Sequence, residues 1–385
     1  MPKSTEDTGA APGEKTHHVS VSLEEILKLK QYSIPDEEKN RMLLVNIKEQ
    51  LLCAKENRHI KSFFEKQGID ISSINKLEDV PTIPVQMFKY FDLRIGTPES
   101  IVKVLKSSGT TSGLPSRVPL SKKTTMNQTK ALNSILSDYL GNKRRLFLVI
   151  DHEGINAPNS EITARTAGVR GLSIFSKKII YLLKEVDGKL VLNMPAIEDL
   201  IQNHKDEEVY VFGFTYIVWS VFCRQAKEQL KGRPFNFREA IIFHSGGWKK
   251  LEEEKVSKEV FSEEIAKIFG TDPKKVHDFY GMAEQTGIIF VDCEHGNKHV
   301  PNFAQVIIRD IQTLKPCEIN ETGLIEVMSI LADSYYCQAI LTEDKGFLAG
   351  IDDCPCKRKG RYFRFKSRVE KVEMRGCGDT FKEKT

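Results

Sequence analysis

Short apolar segments alternate with amphipathic helical segments along the middle of this chain, and this alternation constrains the fold more than any other feature. The apolar segments have the length of strands, and the segments between them have the period of helices. The pattern predicts strands at Arg145–Ile150, 208–212 and 240–244, and helices at 123–139 and 257–269. Strands that alternate with helices form a mostly parallel sheet covered on both faces. The sequence therefore predicts an α/β fold.

The two flanks of this region have different patterns. Residues 22–68 are predicted to be helical, because Ser22 is a suitable N-cap and the segment 41–54 is amphipathic. After Asn302 the pattern becomes β-rich, with three further strands predicted at 304–310, 323–328 and 338–342. The first 20 residues are polar and contain no apolar stretch, so they are predicted to be a disordered tail and not a signal peptide.

Composition and charge indicate the size of the core, the expected partners and the redox compartment of the protein. A chain of 385 residues with 40% hydrophobic content can bury one large domain and a smaller one. The net charge of +4 is modest, and no aromatic residues are interleaved with clustered basic ones, so nucleic acid is not an expected partner. Eight cysteines without close pairing, apart from Cys354 and Cys356, indicate a reducing compartment. We expect a cytoplasmic protein.

Two polar motifs point to chemistry. Residues 106–113, K-S-S-G-T-T-S-G, follow an apolar strand-like run, and their glycines and hydroxyls suit close contact with phosphate oxygens. The order is not that of a Walker loop, and a polar hairpin or linker is the alternative interpretation. The second motif, H-D-F-Y-G-M-A-E, occupies residues 277–284. It is the second motif that favours a phosphate-binding function for the first.

Together these motifs resemble the adenylate-forming superfamily of acyl- and aryl-CoA ligases, with Ala283 where that superfamily usually has threonine. The chain is most similar to the acyl-protein synthetases, the fatty-acid-activating component of the bacterial bioluminescence fatty-acid reductase. The features shared with that family extend from about Pro81 to Cys377 and include four short segments: I-P-V-Q-M-F-K at 83–89, S-G-G-W-K at 245–249, K-H-V-P at 298–301 and R-G-C at 375–377. The resemblance implies a large domain with mixed and parallel sheets flanked by helices, a β-rich subdomain and a truncated C-terminal lid.

The resemblance also implies a reaction. A carboxylic acid, expected to be a fatty acid, is activated with ATP and Mg²⁺ to acyl-AMP with release of pyrophosphate, and the acyl group then passes to a thiol. The acceptor would be the chain's own cysteine followed by a partner protein such as a reductase or carrier. A first alternative is a ligase that delivers the acyl group to coenzyme A or a carrier protein. A second is a non-catalytic protein that binds nucleotide or acyl chain.

Site residues follow from the matching motif positions. The phosphate loop would be Ser107, Ser108, Gly109, Thr110, Thr111, Ser112 and Gly113. Tyr280 would stack on adenine, followed by Gly281, and the segment Ser245, Gly246 and Gly247 would pass beneath the purine, although this segment also suits a simple turn after a strand. Asp344 and Arg368 would contact the ribose, although Glu343 and Ser367 replace glycines of the family pattern.

Charge in the site is expected to depend on Glu284 and a lysine. Glu284 matches the glutamate that holds Mg²⁺, a cation that prefers oxygen ligands. Larger relatives have a C-terminal domain whose lysine contacts the substrate carboxylate, whereas 17 residues follow Arg368 here. The cation at the α-phosphate is therefore expected to be Lys89, Lys249 or Lys366.

Cys377 is the predicted acyl acceptor. It lies eight residues before the end of the sequence, in R-G-C-G-D. Flanking glycines allow an arm to move, and the nearby Arg375 lowers the pKa of a thiol. An incidental cysteine in the tail is the alternative, and if coenzyme A is the acceptor, Cys377 would be dispensable.

The run 209–223, V-Y-V-F-G-F-T-Y-I-V-W-S-V-F-C, is almost wholly apolar but too short to span a membrane. It divides into a predicted buried strand at 209–212 and a helix capped by Thr215 that ends near Leu230. Phe214, Tyr216 and Trp219 would then lie where a strand meets a helix, and they are candidates for an acyl pocket. Ordinary core packing is the alternative for these aromatics.

A group of cysteines and histidines is a candidate site for a structural Zn²⁺. Cys293 and His299 would supply two ligands, and Cys354 and Cys356 the other two. Reduced buried thiols with surface histidines are the alternative, because the C-x-C spacing is less usual than C-x-x-C.

These assignments divide the chain into four parts. Residues 1–20 form the tail, 21–302 an α/β domain that binds ATP and the acyl group, and 303–368 a β-rich subdomain that completes the nucleotide site. Residues 369–385 form a short mobile tail with Cys377.

Overall fold

The structure, a computed structural model, describes residues 21–107, 114–156, 164–248 and 254–369, and it alternates helices and strands as the sequence predicts. The helices are α1 (Leu23–Lys28), α2 (Asp36–Ala54), α3 (Arg58–Lys66), α4 (Met87–Tyr90), α5 (Lys122–Leu140), α6 (Ala164–Leu172), α7 (Met194–Asn203), α8 (Thr215–Ile217), α9 (Arg224–Leu230) and α10 (Lys258–Phe269). A π-helical segment, Val218–Cys223, joins α8 to α9.

Sixteen strands lie in the described part of the chain. They are β1 (Ile83–Pro84), β2 (Ile101–Lys106), β3 (Arg117–Ser121), β4 (Arg145–Ile150), β5 (Ser176–Tyr181), β6 (Leu183–Val186), β7 (Lys189–Leu192), β8 (Val209–Phe214), β9 (Ile241–Ser245), β10 (Val276–Tyr280), β11 (Phe290–Val291), β12 (Lys298–His299), β13 (Ala304–Arg309), β14 (Thr322–Ser329), β15 (Ile340–Ile351) and β16 (Arg361–Arg368). β2 with β3, and β6 with β7, form two separate antiparallel hairpins.

The first large sheet is the predicted parallel sheet. Its strand order is β11-β10-β9-β8-β4-β5, and all neighbours are parallel except β11, which is antiparallel to β10. Along β4 and β8, side chains at alternate positions pack in two different hydrophobic clusters, one on each face of the sheet. Phe147 and Phe212 pack on the side of α5 and the second sheet, whereas Leu148 and Val211 pack on the side of α7 to α10. Both faces are thus buried, as expected for parallel strands.

Local signals in the sequence account for the helix ends. The Ser121 hydroxyl accepts a hydrogen bond from the N–H of Thr124 (2.9 Å), and α5 ends at Gly141 with φ of +66°. Ser257 caps α10 in the same way, and Gly270 ends it with φ of +74°. These are the usual polar N-cap and glycine C-cap signals.

One predicted cap is wrong. Thr215 is the first residue of α8, and the residue before it, Phe214, makes no capping hydrogen bond. The Thr215 hydroxyl lies instead 2.9 Å from Nδ1 of His244 and donates to the carbonyl of Ser245 (3.2 Å). Tertiary partners on the neighbouring strand therefore replace the predicted cap. The helix that follows extends to Leu230, as predicted.

The second large sheet is antiparallel and contains the predicted β-rich region. Its order is β12-β16-β15-β14-β13, with β1 pairing in parallel with β15. β1 and β12 precede residue 303, so the sheet also recruits strands from the part of the chain assigned to the first domain. The division into domains stays a prediction. None of the described helices combines the length and the apolar character needed to cross a membrane.

Candidate active site

The carboxyl ends of β9 and β10 lie side by side and lead into two of the predicted site segments. Ser245 pairs with Phe279 in the register of the two parallel strands, and the Ser245 hydroxyl donates to the Phe279 carbonyl (2.9 Å). The motifs that follow each strand, starting at Gly246 and Gly281, therefore begin at the same edge of the sheet. This edge is where parallel α/β sheets bind ligands.

The turn after β9 requires one glycine but not the next. Gly246 has φ of +85°, and a Cβ there would lie 2.9 Å from the ring of Phe214. Gly247 has no positive φ, and a Cβ there would meet no atom of the described residues beyond its chain neighbours within 4 Å. Backbone strain and close packing therefore account for Gly246, whereas the part of the chain that the structure describes leaves Gly247 free of close neighbours.

Tyr280, Asp344 and Arg368 form a hydrogen-bonded group between the two large sheets. The Tyr280 hydroxyl donates to Oδ2 of Asp344 (2.8 Å), and Nε of Arg368 donates to Oδ1 of the same carboxylate (3.1 Å). Burial and the adjacent carboxylate raise the pKa of Tyr280 well above its ordinary value, so the hydroxyl remains a donor. Three predicted nucleotide residues are thus in direct contact.

The Tyr280 ring belongs to an aromatic cluster. Phe365 stacks on it with ring centroids 5.9 Å apart and an interplanar angle of 26°, and Phe363 meets it edge-on at 6.2 Å. Phe365 itself is 41% exposed. One face of Tyr280 is therefore covered by a side chain that is open to solvent.

Glu284 is the buried carboxylate of the site. It is 6% exposed and lies in a short helical turn, Ala283–Gln285. Burial raises the pKa of Glu284, opposed by a hydrogen bond from the Ser116 hydroxyl and by the positive charges of Lys89 and Arg368. The next residue, Gln285, anchors the turn by donating to the Cys337 carbonyl (2.8 Å) and accepting from the Ser329 hydroxyl (2.8 Å).

Ser107, the first residue of the predicted phosphate loop, is joined by two hydrogen bonds to Ser116, which lies three residues after the predicted end of the loop at position 113. The N–H of Ser107 donates to the Ser116 carbonyl (3.1 Å), and the N–H of Ser116 donates to the Ser107 hydroxyl (2.9 Å). Ser116 also acts to lower the pKa of Glu284, so the described residues on either side of the loop lie near the buried carboxylate. The remaining predicted loop residues, Ser108, Gly109, Thr110, Thr111, Ser112 and Gly113, lie outside the described residues.

Of the lysines expected to act at the α-phosphate, Lys89 acts on Glu284 electrostatically from α4. Its neighbour Gln86 donates to Glu343 (2.5 Å), which ties α4 to the strand of Asp344. Lys366 instead donates to the Thr322 hydroxyl (2.7 Å) and lies over the ring of Phe347, 5.2 Å from its centroid. Lys249 and Cys377 lie outside the described residues.

The predicted acyl-pocket aromatics do not all share one environment. Phe214 packs beneath Gly246 and touches both core clusters, whereas Trp219 stacks on Phe261 with centroids 6.0 Å apart and meets Trp248 edge-on. Tyr216 is half-buried against the same cluster as Trp219. A cavity of about 500 Å³ near β5 is lined by other residues, among them His152, Lys178, Tyr181, Glu185, Asn193 and Asp199.

The four predicted zinc ligands lie together. The ligand atoms of Cys293, His299, Cys354 and Cys356 are all within 4.8 Å of one another. His295, the other histidine of this region, is not one of the four, and its backbone N–H donates to Cys293 Sγ (3.4 Å).

Two contributors to the site, Ser116 and Phe365, were not predicted from the sequence. Ser116 was identifiable as the residue across the hairpin from Ser107. Phe365 was identifiable from the alternation of aromatics with basic residues in R-Y-F-R-F-K-S-R, which places Phe363 and Phe365 on one face of a strand.

Comparison with known proteins identifies the family. A family profile described as "Acyl-protein synthetase, LuxE" matches residues 17–385. The chain belongs to the acyl-protein synthetase family.

Two relatives share about a quarter of the sequence of this acyl-protein synthetase. Both are described as "Long-chain-fatty-acid--luciferin-component ligase": that of Vibrio harveyi is 24% identical over 327 residues, and that of Aliivibrio fischeri is 23% identical over 334 residues. Each alignment covers 83% of this chain and 82% of the relative.

Solved structures of adenylate-forming ligases have the same fold. A 2-hydroxyisobutyryl-CoA ligase, solved with its acyl-AMP and coenzyme A, superposes with a TM-score of 0.65 at 16% identity, covering 88% of this chain and 70% of the ligase. The open form of that enzyme gives a TM-score of 0.63 at 14% identity, with 87% and 71% covered. The fold predicted from the sequence is confirmed. As an acyl-protein synthetase, the chain is an acid-activating ligase, so the non-catalytic alternative is set aside.

Proposed function

We propose that this acyl-protein synthetase activates a fatty acid with ATP and Mg²⁺, releasing pyrophosphate, and transfers the acyl group from acyl-AMP to Cys377. A partner protein then receives it. The names of the two bacterial relatives support a long-chain fatty acid as the substrate. The observation that carries the nucleotide part of the proposal is the convergence of Tyr280, Asp344, Arg368 and Glu284 at one sheet edge.

The nucleotide is proposed to lie across that edge. Adenine would use the face of Tyr280 opposite Phe365, with Gly247 open beneath it. The ribose hydroxyls would donate to Asp344, whose carboxylate Tyr280 and Arg368 already orient. The triphosphate would then extend toward the neck of the loop 107–116, where the loop N–H groups and hydroxyls can act as donors.

Glu284 is the proposed Mg²⁺ ligand. Its carboxylate is buried beside Lys89, and its pKa is raised, so protons compete with a cation for it. A bound Mg²⁺ neutralises charge on the phosphates and favours the ionised carboxylate. Lys89 is proposed to stabilise the charge that develops when the acid attacks the α-phosphate.

The acyl pocket and the roles of the parts of the chain are proposed as follows. Phe214, which packs beneath Gly246, would form the start of an acyl pocket that continues along Tyr216 and Trp219. Residues 21–302 would bind ATP and the acyl chain, residues 303–368 would supply Asp344 and Arg368, and residues 369–385 would present Cys377.

The first test is exchange of labelled pyrophosphate into ATP in the presence of short, aromatic and long-chain acids. We expect exchange with long-chain acids, strong loss in Glu284→Gln and Thr110→Ala, and wild-type exchange in the matched control Glu294→Gln, whose side chain is exposed. No exchange with any acid in a chain that binds ATP would contradict the proposal.

The acceptor is tested separately by mass spectrometry after incubation with ATP and a long-chain acid. We expect an acyl adduct that hydroxylamine removes, that is absent in Cys377→Ser and that persists in Cys53→Ser. Formation of acyl-CoA without an adduct would retain the adenylation step and replace Cys377 by coenzyme A as the acceptor.

A further inference from the structure

A cluster of three thiols and one imidazole lies apart from the nucleotide residues, at the junction of β12 with the connection between β15 and β16. Cys293 precedes β12, His299 belongs to it, and Cys354 and Cys356 lie in the β15–β16 connection. Their ligand atoms are mutually within 4.8 Å. The fold therefore brings together two pairs of side chains that are distant in sequence. Cys293 and Cys354, for example, are 61 residues apart.

We propose that Cys293, His299, Cys354 and Cys356 bind one structural Zn²⁺. Three thiolates with one imidazole are a common tetrahedral set for structural zinc, and soft sulfur ligands exclude Mg²⁺ and Ca²⁺ from this position. All four positions are supplied by the chain, so no site remains for water or substrate. The proposed ion therefore stabilises the fold and takes no part in the reaction. This proposal does not depend on the proposed function.

The distances fit a tetrahedral metal. Zn–S bonds of about 2.3 Å at tetrahedral angles separate two sulfurs by about 3.8 Å. Cys293 Sγ and Cys354 Sγ are 3.8 Å apart. On the other side of the cluster, Cys356 Sγ lies 3.2 Å from Nε2 of His299, somewhat closer than a zinc-bound pair, so a small movement of one side chain would admit the ion.

Backbone turns present the sulfurs and give them hydrogen-bond donors. The turn from Cys293 to Asn297 is closed by Cys293 N–H to the Asn297 carbonyl (2.9 Å), and Gly296 has the positive φ that it needs (+74°). The N–H of His295 donates to Cys293 Sγ, and Nδ2 of Asn297 donates to Cys354 Sγ, both at 3.4 Å. Such donors around the sulfurs are typical of the surroundings of bound metals.

The burial of His299 is difficult to explain without a ligand. Its ring is fully buried, its Nε2 contacts the sulfur of Cys356, and its Nδ1 has no hydrogen-bond partner among the residues that the structure describes. A buried polar ring normally has its hydrogen bonds satisfied. A metal bond at Nε2, the nitrogen beside Cys356 Sγ, would offset part of the desolvation of this histidine, whereas Nδ1 would still have no partner among the described residues.

The proposed ion would act on the second sheet. It would link β12 to the segment that leads into β16, and β16 ends at Arg368, a partner of Asp344. Asn297 is itself held by Arg364 of β16, whose Nε donates to the Asn297 side-chain carbonyl (2.9 Å). Loss of the ion should therefore loosen β16 as well as the turn.

The test is metal analysis of the full chain purified under reducing conditions, before and after treatment with a chelator. We expect one zinc ion per chain, lowered to background in Cys356→Ser and retained in the matched controls Cys53→Ser and Cys317→Ser. Asn297→Ala should weaken zinc binding by about 10–100-fold, because it removes a hydrogen bond to a ligand. Chelator should also lower the midpoint of thermal unfolding of the wild type but not of Cys356→Ser.

A second measurement uses only the wild-type chain, so it does not depend on the folding of a variant. Co²⁺ added to the metal-free protein should give the visible and near-ultraviolet bands of tetrahedral cobalt with thiolate ligands, and zinc should abolish them. Absence of stoichiometric zinc together with absence of these bands would overturn the proposal. A mass two hydrogens lower, showing a disulfide in the freshly isolated protein, would overturn it as well.

Discussion

At the scale of single residues, the candidate site depends on polar side chains whose partners are distant in sequence. Asp344 receives hydrogen bonds from Tyr280, 64 residues earlier, and from Arg368, 24 residues later. Tyr280 thus has two separable features, a hydroxyl that orients Asp344 and a ring that is proposed to face adenine. Substitutions can remove these features one at a time.

Two substitutions at Tyr280 separate the role of its hydroxyl from that of its ring. Tyr280→Phe removes the hydroxyl but keeps the ring, and should lower the free energy of unfolding by about 1 kcal/mol, the net value of one hydrogen bond. Its KM for ATP should rise modestly, whereas Tyr280→Ala should raise KM for ATP much further. Urea unfolding and pyrophosphate exchange measure the two effects. Equal KM values in the two variants would show that the ring does not bind adenine.

Two buried histidines, His244 and His277, are expected to make the free energy of unfolding depend on pH. Burial lowers the pKa of His244 to about 4, although Asp278 lies 3.7 Å away, and it lowers the pKa of His277 to about 4 as well. Lys298 and Lys258 also act on His244 and favour its neutral form. An unfolded histidine has a pKa near 6.5, so below that pH the unfolded chain takes up protons that the folded chain does not bind until about pH 4.

Stability should therefore be lost as pH falls from about 6.5 to about 4, by up to about 3 kcal/mol for each histidine. Unfolding free energies measured across this range test the prediction. His244→Gln should show a shallower dependence on pH than the wild type. Phe261→Leu, which changes the ring packed 4.4 Å from His244 but no titrating group, should keep the wild-type slope. If the free energy of unfolding depended on pH equally in all three proteins, His244 would not be a source of the dependence.

At the scale of elements, the turn after β9 combines a structural glycine with one that is free of steric constraint. Gly246→Ala should lower the free energy of unfolding by about 1–2 kcal/mol, because alanine is strained at φ of +85° and its Cβ would meet Phe214. Gly247→Ala should stay within about 0.5 kcal/mol of the wild type but raise KM for ATP if this position faces the purine. Chemical unfolding and pyrophosphate exchange give both values. Equal destabilisation of the two variants would disprove the distinction.

At the scale of the whole molecule, a buried ion pair holds the N-terminal segment against the second sheet. Nη2 of Arg309 donates to Oε1 of Glu326 (3.1 Å) and to the Glu78 carbonyl (3.0 Å). Glu326 also accepts from the Thr82 hydroxyl (2.5 Å) and is fully buried. The pair therefore connects β13 and β14 to the chain that precedes β1.

Removing the arginine should leave an uncompensated buried charge. Arg309→Met is expected to lower the free energy of unfolding by about 3–5 kcal/mol, and the double variant Arg309→Met with Glu326→Gln should recover part of this loss. Arg41→Met, which breaks an exposed pair with Glu37, should change it by less than about 1 kcal/mol. Urea unfolding measures all three. A single variant no less stable than the double one would argue against a charged, paired Glu326.

Much of the fold was predictable because its strands and helices have clear periods. The strand at Arg145–Ile150 was predicted to the residue, and α5 and α10 to within one residue at each end. The last predicted strand, 338–342, was too short, because β15 continues to Ile351 through a polar stretch that β16 stabilises by pairing. Local periodicity does not report such pairing.

The sequence by itself determined the alternation that makes a parallel sheet, the glycine and hydroxyl motif, and the family to which the chain belongs. Only the tertiary structure decided that Ser116 acts on the pKa of Glu284, that Phe365 covers a face of Tyr280, and that four metal-type ligands meet. The physical reason is that period and composition describe how the backbone folds over a few residues. Contacts across tens or hundreds of residues depend instead on strand order and register, which the whole packed core selects.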